Sequence, residues 1–575
     1  MISLFYTLVS IVFDQPESYT MKKWILLLTV GSLVWGCHKP VAPVQQQAVA
    51  TAHPIATQAG MDILNQGGNA FDAAVAVSAT LAVVEPYSSG IGGGGFWLLY
   101  RHTDKHTVML DGREVAPNQA HRDMYLNANG EVDSARSING PLAAGIPGEP
   151  AALDYLARKY GRLPLATSLA PAIRAAQQGF KVTPHYQRMA GFRLSALQAS
   201  PAAAAVFLDN NAVPALGYVI KQPDLAKTLQ ALAKQGRDGF YQGVVAKQLV
   251  QGSRAAGGIW TMQDLQQYEV KLRQPIVMQY QGYTITSAAP PSSGGVAMAS
   301  IFNMLGTLQW YRLPDLQQKH VLVEAMRRAY RDRAMYLGDT DFVDVPITRL
   351  TSTNYANKLA ADIQLDAATP SHTLPGVDTQ AKGQHTTHFS ILDKAGNRVS
   401  ATLSVNYPFG SGFVAPGTGV LLNDEMDDFS AKPGSPNAYG LVGAQANAIA
   451  PRKRMLSSMS PTFVENDQQL AIIGTPGGSR IITMVLHGVL GVIDNQTAQQ
   501  VVAQPRYHHQ YLPDVIQFEK GAFTETEQAK LQSLGHQLSE LDNPYGNMQL
   551  IILNKKTQQV SAASDPRGEG SAQVQ

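Results

Sequence analysis

The chain is short of cysteine: it holds one, Cys37, in 575 residues. A single thiol excludes an intrachain disulfide and a zinc site built on cysteines. Charge is also sparse. Acidic and basic side chains make up 15 % of the chain, 45 basic against 43 acidic, for a net of +2. That balance provides no strong basic field to hold nucleic acid. Beyond the first residues, no apolar run is long enough to cross a bilayer. What is present is 45 % hydrophobic residues, enough to build a core rather than a disordered chain. The 50 glycines and 33 prolines call for many turns and close backbone approaches. The length allows about three to four average domains, or one large α/β unit.

The position of the cysteine is informative. Met21-Lys22-Lys23 is followed by the apolar run Trp24 to Leu28 and then by Thr29 to Gly36, directly before Cys37. A basic start, a short apolar stretch and a small residue before the cut describe an export signal. A cysteine at that point resembles a bacterial lipobox, although Trp35 is bulky for one. Asp14 and Glu17 do not belong in a signal, so Met21 is read as the start. Residues 1–36 are therefore expected to be a signal segment and 37–48 a Pro- and Gln-rich tether. The mature protein is expected in the periplasm or cell envelope, anchored by a lipid on Cys37.

The pattern along the chain mixes helices and strands. A helix is expected from Gln58 to Gln66, capped by Thr57 and closed by Gly67-Gly68. Further helices are expected over Phe71 to Val84, Pro147 to Tyr160, Pro223 to Gln235 and His320 to Leu337. In the last, Leu322, Met326, Ala329, Tyr330 and Arg333 fall at helical spacing. Residues 366–385 read as a polar loop. From Thr386 the period becomes two.

Two motifs mislead. Gly90, Gly92 and Gly95 spell G-x-G-x-x-G, with Asp111 downstream. A dinucleotide site needs strand, glycines and helix in that order, and here a helix comes first and a strand last. His508 and His509 are adjacent, so their side chains do not converge on one ion, and no acidic partner sits at ligand spacing. Neither a P-loop nor a G-x-S-x-G elbow occurs.

Thr386 to Leu392 and Arg398 to Asn406 flank the turn residues Asp393-Lys394-Ala395-Gly396-Asn397, which predicts a hairpin. Centring the loop on Ala395 sets Thr386 opposite Ser404, His388 opposite Thr402 and Ser390 opposite Ser400. These six share a polar face. Phe389, Ile391, Val399, Ala401, Leu403 and Val405 share an apolar one with Thr387. Opposed side chains have Cβ atoms about 4.5–5.5 Å apart, so the hydroxyls of Thr386 and Ser404 can meet. The pattern alone equally describes an ordinary hairpin with one solvated face.

The wider match is more specific. Gly383-Gln384-His385-Thr386-Thr387-His388-Phe389-Ser390 resembles the self-cleavage junction of the γ-glutamyltransferases. Further blocks resemble the same family in the same order: Gly67 to Ala70, Glu85 to Phe96, Asp111 to Glu114, Pro290 to Gly295, Leu422 to Phe429, Leu456 to Pro461 and Thr475 to Arg480. Together they run from about residue 46 to 567.

The resemblance implies an α/β fold, the N-terminal-nucleophile hydrolase αββα sandwich. It also implies a precursor cut between His385 and Thr386, giving a large subunit (49–385) and a small one (386–575). Thr386 then becomes the nucleophile, with its new α-amine as base. Ser404 supplies the neighbouring hydroxyl, where close bacterial relatives often carry threonine. Gly477 and Gly478 match the oxyanion hole, and Arg113 the fork that clamps the substrate α-carboxylate. Ser457 and Ser458 match donors to the same carboxylate. Asn406, Glu425 and Asp428 match the group around the α-ammonium, with Glu425 where some members have Gln. Pro433 to Gly440, including Tyr439, resembles a lid loop. Gly112 beside Arg113 is expected to loosen the fork.

The implied reaction is cleavage of the γ-glutamyl amide of glutathione and related compounds, through a threonine ester, with transfer to water or to an amino-acid or peptide amine. No cofactor or metal is expected, and no nucleic-acid partner. The chain's two fragments form a heterodimer, and the membrane is met through the lipid alone. Two other readings stand beside this one: an acylase acting on cephalosporin side chains or poly-γ-glutamate, and a surface lipoprotein without activity. A dead fold would be expected to lose Thr386 or its glycines.

Overall fold

The computed structural model describes residues 44–374, 386–432, 434–435 and 441–575. Cys37, His385, Pro433 and Tyr439 lie outside them, so the expected lipid site, the residue before the expected cut and most of the expected lid loop do too.

Two antiparallel sheets lie face to face. The first has seven strands in the order Ser571–Val574, Ala48–Thr51, Thr387–Leu392, Arg398–Ser404, Gly94–Arg101, His106–Gly112 and Lys271–Arg273. The second has six, in the order Val560–Ser564, Gln549–Asn554, Gln469–Gly474, Thr462–Glu465, Tyr283–Ser287 and Ile276–Tyr280. Helices Ala70–Val84, Leu165–Gln178 and Pro223–Gln235 share a core with the outer face of the first sheet. Helices Gly294–Thr307, Asp315–Tyr336 and Ile481–Ile493 share one with the second. The result is the αββα sandwich.

The central hairpin has the expected register: Ser390 pairs with Ser400, His388 with Thr402 and Thr387 with Leu403. Asp393 closes its turn by accepting the Asn397 N–H at 2.9 Å, and Gly396 takes φ +84°. Phe389, Ile391, Val399, Ala401 and Leu403 point into the helical core. The polar face is not solvated, however. It packs on the second sheet, where Ser390 Oγ donates to the carbonyls of Ile472 and Gln549 and Ser400 Oγ to that of Ile473. His388 Nδ1 bonds Thr402 Oγ1 at 2.8 Å. A buried hydroxyl is tolerable when it finds a partner, and here each lies between the sheets with one.

Two helix starts differ from expectation by four residues or more. The first helix is Pro54–Asn65, capped by His53, whose Nδ1 accepts the Ile55 N–H. Thr57 sits inside it and bonds Thr51 at 2.8 Å. The long helix begins at Asp315 rather than His320. The strand Ala48–Thr51 also absorbs the last residue assigned to the tether. A cut before Thr386 would leave fragments that share both sheets. The first interleaves strands from the two fragments, so they are halves of one body rather than two domains.

Candidate active site

Thr386 lies at the mouth of the sandwich, just ahead of strand Thr387–Leu392, and is buried. Its Oγ1 is 3.5 Å from Ser404 Oγ, at the long limit of a hydrogen bond. Ser404 ends the partner strand, and its Oγ accepts the Asn406 N–H at 2.7 Å. Asn406 takes a left-handed φ of +74°, which Asn tolerates better than most residues. Its side-chain amide donates to the Asp424 carbonyl at 3.0 Å. The hairpin end is thereby locked to the acidic turn.

Gly477 and Gly478 open a helical run: the short turn Gly478–Arg480 leads into Ile481–Ile493. The first amides of such a run have no partner within it and carry the positive end of its dipole. Gly477 sits at φ +142°, a backbone conformation that favours glycine. Gly478 lines one space next to Thr386 and Gly477 another.

The first space is a narrow pocket with about 20 Å³ free. Arg113 forms its floor, buried at the end of strand His106–Gly112. The sequence places a cation fork and an anion cluster on opposite sides of an amino-acid head. The structure joins them. Arg113 Nη1 donates to Glu425 Oε2 at 2.5 Å, and Nη2 to Asp428 Oδ2 at 2.6 Å. Glu114 lies 3.6 Å away. Opposite charges this close in a buried pocket attract strongly, which holds the fork on the acids. Burial pushes Glu425 up to about 7, against the pull of Arg113, and raises Glu114 well above the carboxylate range. Glu425 Oε1 and both Glu114 oxygens are buried without a hydrogen-bond partner among the described residues. Gly112 does not loosen the fork. A Cβ there would strike Trp97 and Ala152, so glycine lets the strand pack tightly behind Arg113.

Ser458 Oγ accepts from Arg333 Nη2 at 3.3 Å, and Ser293 Oγ accepts from Arg333 Nε at 3.0 Å. Ser457 Oγ accepts the Met459 N–H at 3.1 Å, which shapes the turn. Arg333 lines the pocket as a second buried cation, although the helical pattern shows it merely as a face residue. Asn423 was also missed. It accepts the N–H groups of Gly145 and Glu425 and donates to the carbonyls of Gly92 and Gly145, tying the acidic turn to the glycine loop. That loop has no nucleotide role here: a Cβ on Gly93 would meet the Ser404 carbonyl at 2.2 Å.

The second space is a cavity of about 550 Å³ that also touches Thr386. Glu85, Tyr87, Arg188 and Glu569 line it. His508 and His509 lie elsewhere, buried, on Thr483 and Gln510 and on Asp514 respectively. Among the described residues one trio, His320, Glu324 and His536, brings potential metal ligands close together. Each of the three already has a partner. His320 Nδ1 and His536 Nε2 share a 2.7 Å hydrogen bond, and Glu324 pairs with Arg327 and Arg328.

A threonine at the head of the central strand, amides at a helix start and a buried arginine–acid pocket lie together at this site. The gamma-glutamyltranspeptidase family model matches residues 56–575. The chain belongs to the γ-glutamyltranspeptidase family. It is 41 % identical over 529 residues to a glutathione hydrolase proenzyme of Escherichia coli, covering 91 % of this chain and 90 % of that one. The fold superposes on a cephalosporin acylase of Bacillus halodurans with a TM-score of 0.81 at 28 % identity, over 98 % of this chain and 99 % of that one. A γ-glutamyltranspeptidase of Helicobacter pylori gives 0.55 at 37 % identity, over 58 % and 95 %. As a family member this chain is an enzyme of hydrolysis and acyl transfer on the N-terminal-nucleophile fold.

Proposed function

We propose that this enzyme cuts itself before Thr386 and then opens the γ-glutamyl amide of glutathione and similar compounds. In the cut, Thr386 Oγ1 attacks the carbonyl of residue 385, the acyl group moves from N to O, and water releases the ester. The freed α-amine of Thr386 becomes the base for its own hydroxyl. With substrate, the same hydroxyl attacks the γ-carbonyl. The oxyanion meets the amides of Gly477 and Gly478, where fixed donors at a helix start are worth more than mobile water. The amine leaves with a proton, and water or a second amine resolves the ester.

Head-group recognition follows from the pocket. The substrate α-carboxylate displaces an acid from Arg113 and adds the Ser458 hydroxyl, backed by Arg333, and that of Ser457. The α-ammonium takes the displaced carboxylates of Glu425 and Asp428, with Asn406 beside them. The bound zwitterion thus replaces one set of buried ion pairs by two. Tyr439 is assigned to the lid over this pocket, and Cys37 to the anchor that holds the exported enzyme at the membrane. The observation that carries the reading is a threonine at the head of the central strand, set between helix-start amides and a buried arginine–acid pocket.

The test is turnover of a chromogenic γ-glutamyl anilide, together with intact-mass analysis for fragments ending at His385 and starting at Thr386. Uncut protein that leaves the anilide intact would contradict the reading. A glutaryl anilide keeps the carboxylate for Arg113 but lacks the ammonium, so the acid it displaces would be left without a cation. Equal turnover of both anilides would favour the acylase reading. Cys37→Ser should move the enzyme from the membrane fraction to the soluble one.

A further inference from the structure

Two protons must leave an ammonium before it becomes an amide nitrogen, and one must leave water before it becomes a hydroxyl. The site already has a base for one proton, the α-amine of Thr386. Hydrolysis therefore has the base it needs. Transfer to an amine that arrives as its ammonium does not, because the nitrogen lone pair is occupied until the first proton has gone.

The cavity behind Thr386 holds a second base. Glu85 follows helix Ala70–Val84 and is buried at the cavity wall. Its Oε2 accepts the hydroxyl of Thr387, the residue after the nucleophile, at 2.6 Å. That bond fixes the carboxyl beside the reacting residue, on the side away from the head-group pocket. The cavity, at about 550 Å³, has room for a dipeptide next to Thr386 and Gly477. The groups facing Glu85 are Thr387, Tyr87 and Glu569, with Arg188, Arg567 and His185 on the same cavity. Arg567 is already paired with Glu519 and Asp565, and burial keeps His185 near 4, hence neutral. Glu569 accepts the Thr183 hydroxyl at 2.9 Å. Glu85 is thus the acid set deepest beside the nucleophile, with no cation paired to it among the described residues.

We propose that Glu85 takes the first proton from the ammonium of an amine acceptor bound in this cavity, making Glu85 a catalytic residue of transfer but not of hydrolysis. The inference rests on the transferase reading above. In the step, the acceptor R–NH₃⁺ gives one proton to the Glu85 carboxylate and becomes R–NH₂. The nitrogen attacks the γ-glutamyl ester, and its second proton passes through the Thr386 α-amine to Thr386 Oγ1 as the C–O bond breaks. Glu85 then returns its proton to solvent. Burial, reinforced by Glu569 and opposed by the Thr387 hydroxyl, pushes Glu85 up to about 8. A peptide α-amine titrates in the same range, so the transfer is close to thermoneutral.

The test compares Glu85→Gln with the wild type on one γ-glutamyl donor and three acceptors: water, glycylglycine and hydroxylamine. Glycylglycine is largely an ammonium near pH 7, whereas hydroxylamine is largely neutral there. Gln keeps an oxygen for Thr387, and retained hydrolysis shows that the site is folded. Transfer to glycylglycine should fall by up to about tenfold near pH 7, where about a tenth of the amine is neutral without help, while hydrolysis and transfer to hydroxylamine change by less than about threefold. The deficit should shrink above about pH 9, where glycylglycine arrives neutral. Glu85→Asp, which restores a carboxylate, should recover part of the loss. Equal losses with all three acceptors, no loss with glycylglycine, or a deficit that does not change with pH would overturn the proposal. A wild type that transfers to no amine would overturn the transferase reading, and this proposal with it.

Discussion

Thr386 stands between two spaces of opposite character. On one side is a pocket with about 20 Å³ free, lined by the buried Arg113 and Arg333 and by the carboxylates of Glu425 and Asp428, both already paired with Arg113. On the other is a cavity of about 550 Å³ whose charged groups are spread around its wall. A tight, dry, charged pocket discriminates strongly, because any ligand that fails to replace its ion pairs leaves a charge unpaired. A roomy cavity with scattered charges discriminates weakly. On the proposed reading, the contrast has the donor selected by its amino-acid head and the acceptor chiefly by carrying an amine.

The contrast can be broken at its hinge. Thr386→Ala should abolish both self-cleavage and turnover, read as one uncut mass and no anilide release, because both reactions use the same hydroxyl. Next in size are changes to the pocket. Arg113→Ala or Asp428→Ala strands a buried charge and removes a charge-assisted contact worth about 1.5–3 kcal/mol or more. Donor kcat/KM should fall about tenfold to several hundredfold. Self-cleavage should survive, since it binds no head group. Kinetics on the cleaved variants decide this, and wild-type values in both would dissolve the distinction between the two spaces.

Arg333→Lys should cost less. A lysine keeps the charge but cannot donate to Ser293 and Ser458 as a fork. Donor KM should rise by about tenfold or less, with transfer and hydrolysis affected alike. A change confined to the acceptor would move Arg333 to the other side of the comparison.

The smallest expected effect is one of pH. Burial raises Glu425 to about 7, so it is largely neutral at pH 6 and largely ionised at pH 8. The ionised form attracts the substrate ammonium. Donor KM should therefore fall as pH rises through about 7, and Glu425→Gln should flatten that slope. A wild-type KM that does not change over this range would remove Glu425 from ammonium recognition.

Much of this was legible in the sequence, for local reasons. The five turn residues Asp393 to Asn397 fix the hairpin register, and with it the meeting of Thr386 and Ser404. Helix Pro223–Gln235 matches its expected span because proline opens it and Gly236 closes it. The rest depends on distance through space. Periodicity gives Arg333 a helix face but cannot say that the face meets Ser458. The polar face of the hairpin reads as solvated because nothing local reveals a second sheet covering it. The arginine fork and the acids are 312 residues apart or more in the chain, so their direct contact has no sequence signal. Glu85 carries no motif of its own, and its bond to Thr387 crosses 302 residues.

The central claim is that one residue, Thr386, is freed by self-cleavage and then carries the γ-glutamyl group between the two spaces. Rapid quenching of the enzyme with a γ-glutamyl anilide, followed by mass analysis of the small fragment, tests it directly. The account expects a fragment starting at Thr386 that gains the mass of one γ-glutamyl group, mapped to that residue. Turnover by a single uncut chain, or a γ-glutamyl group on any other residue, would contradict it.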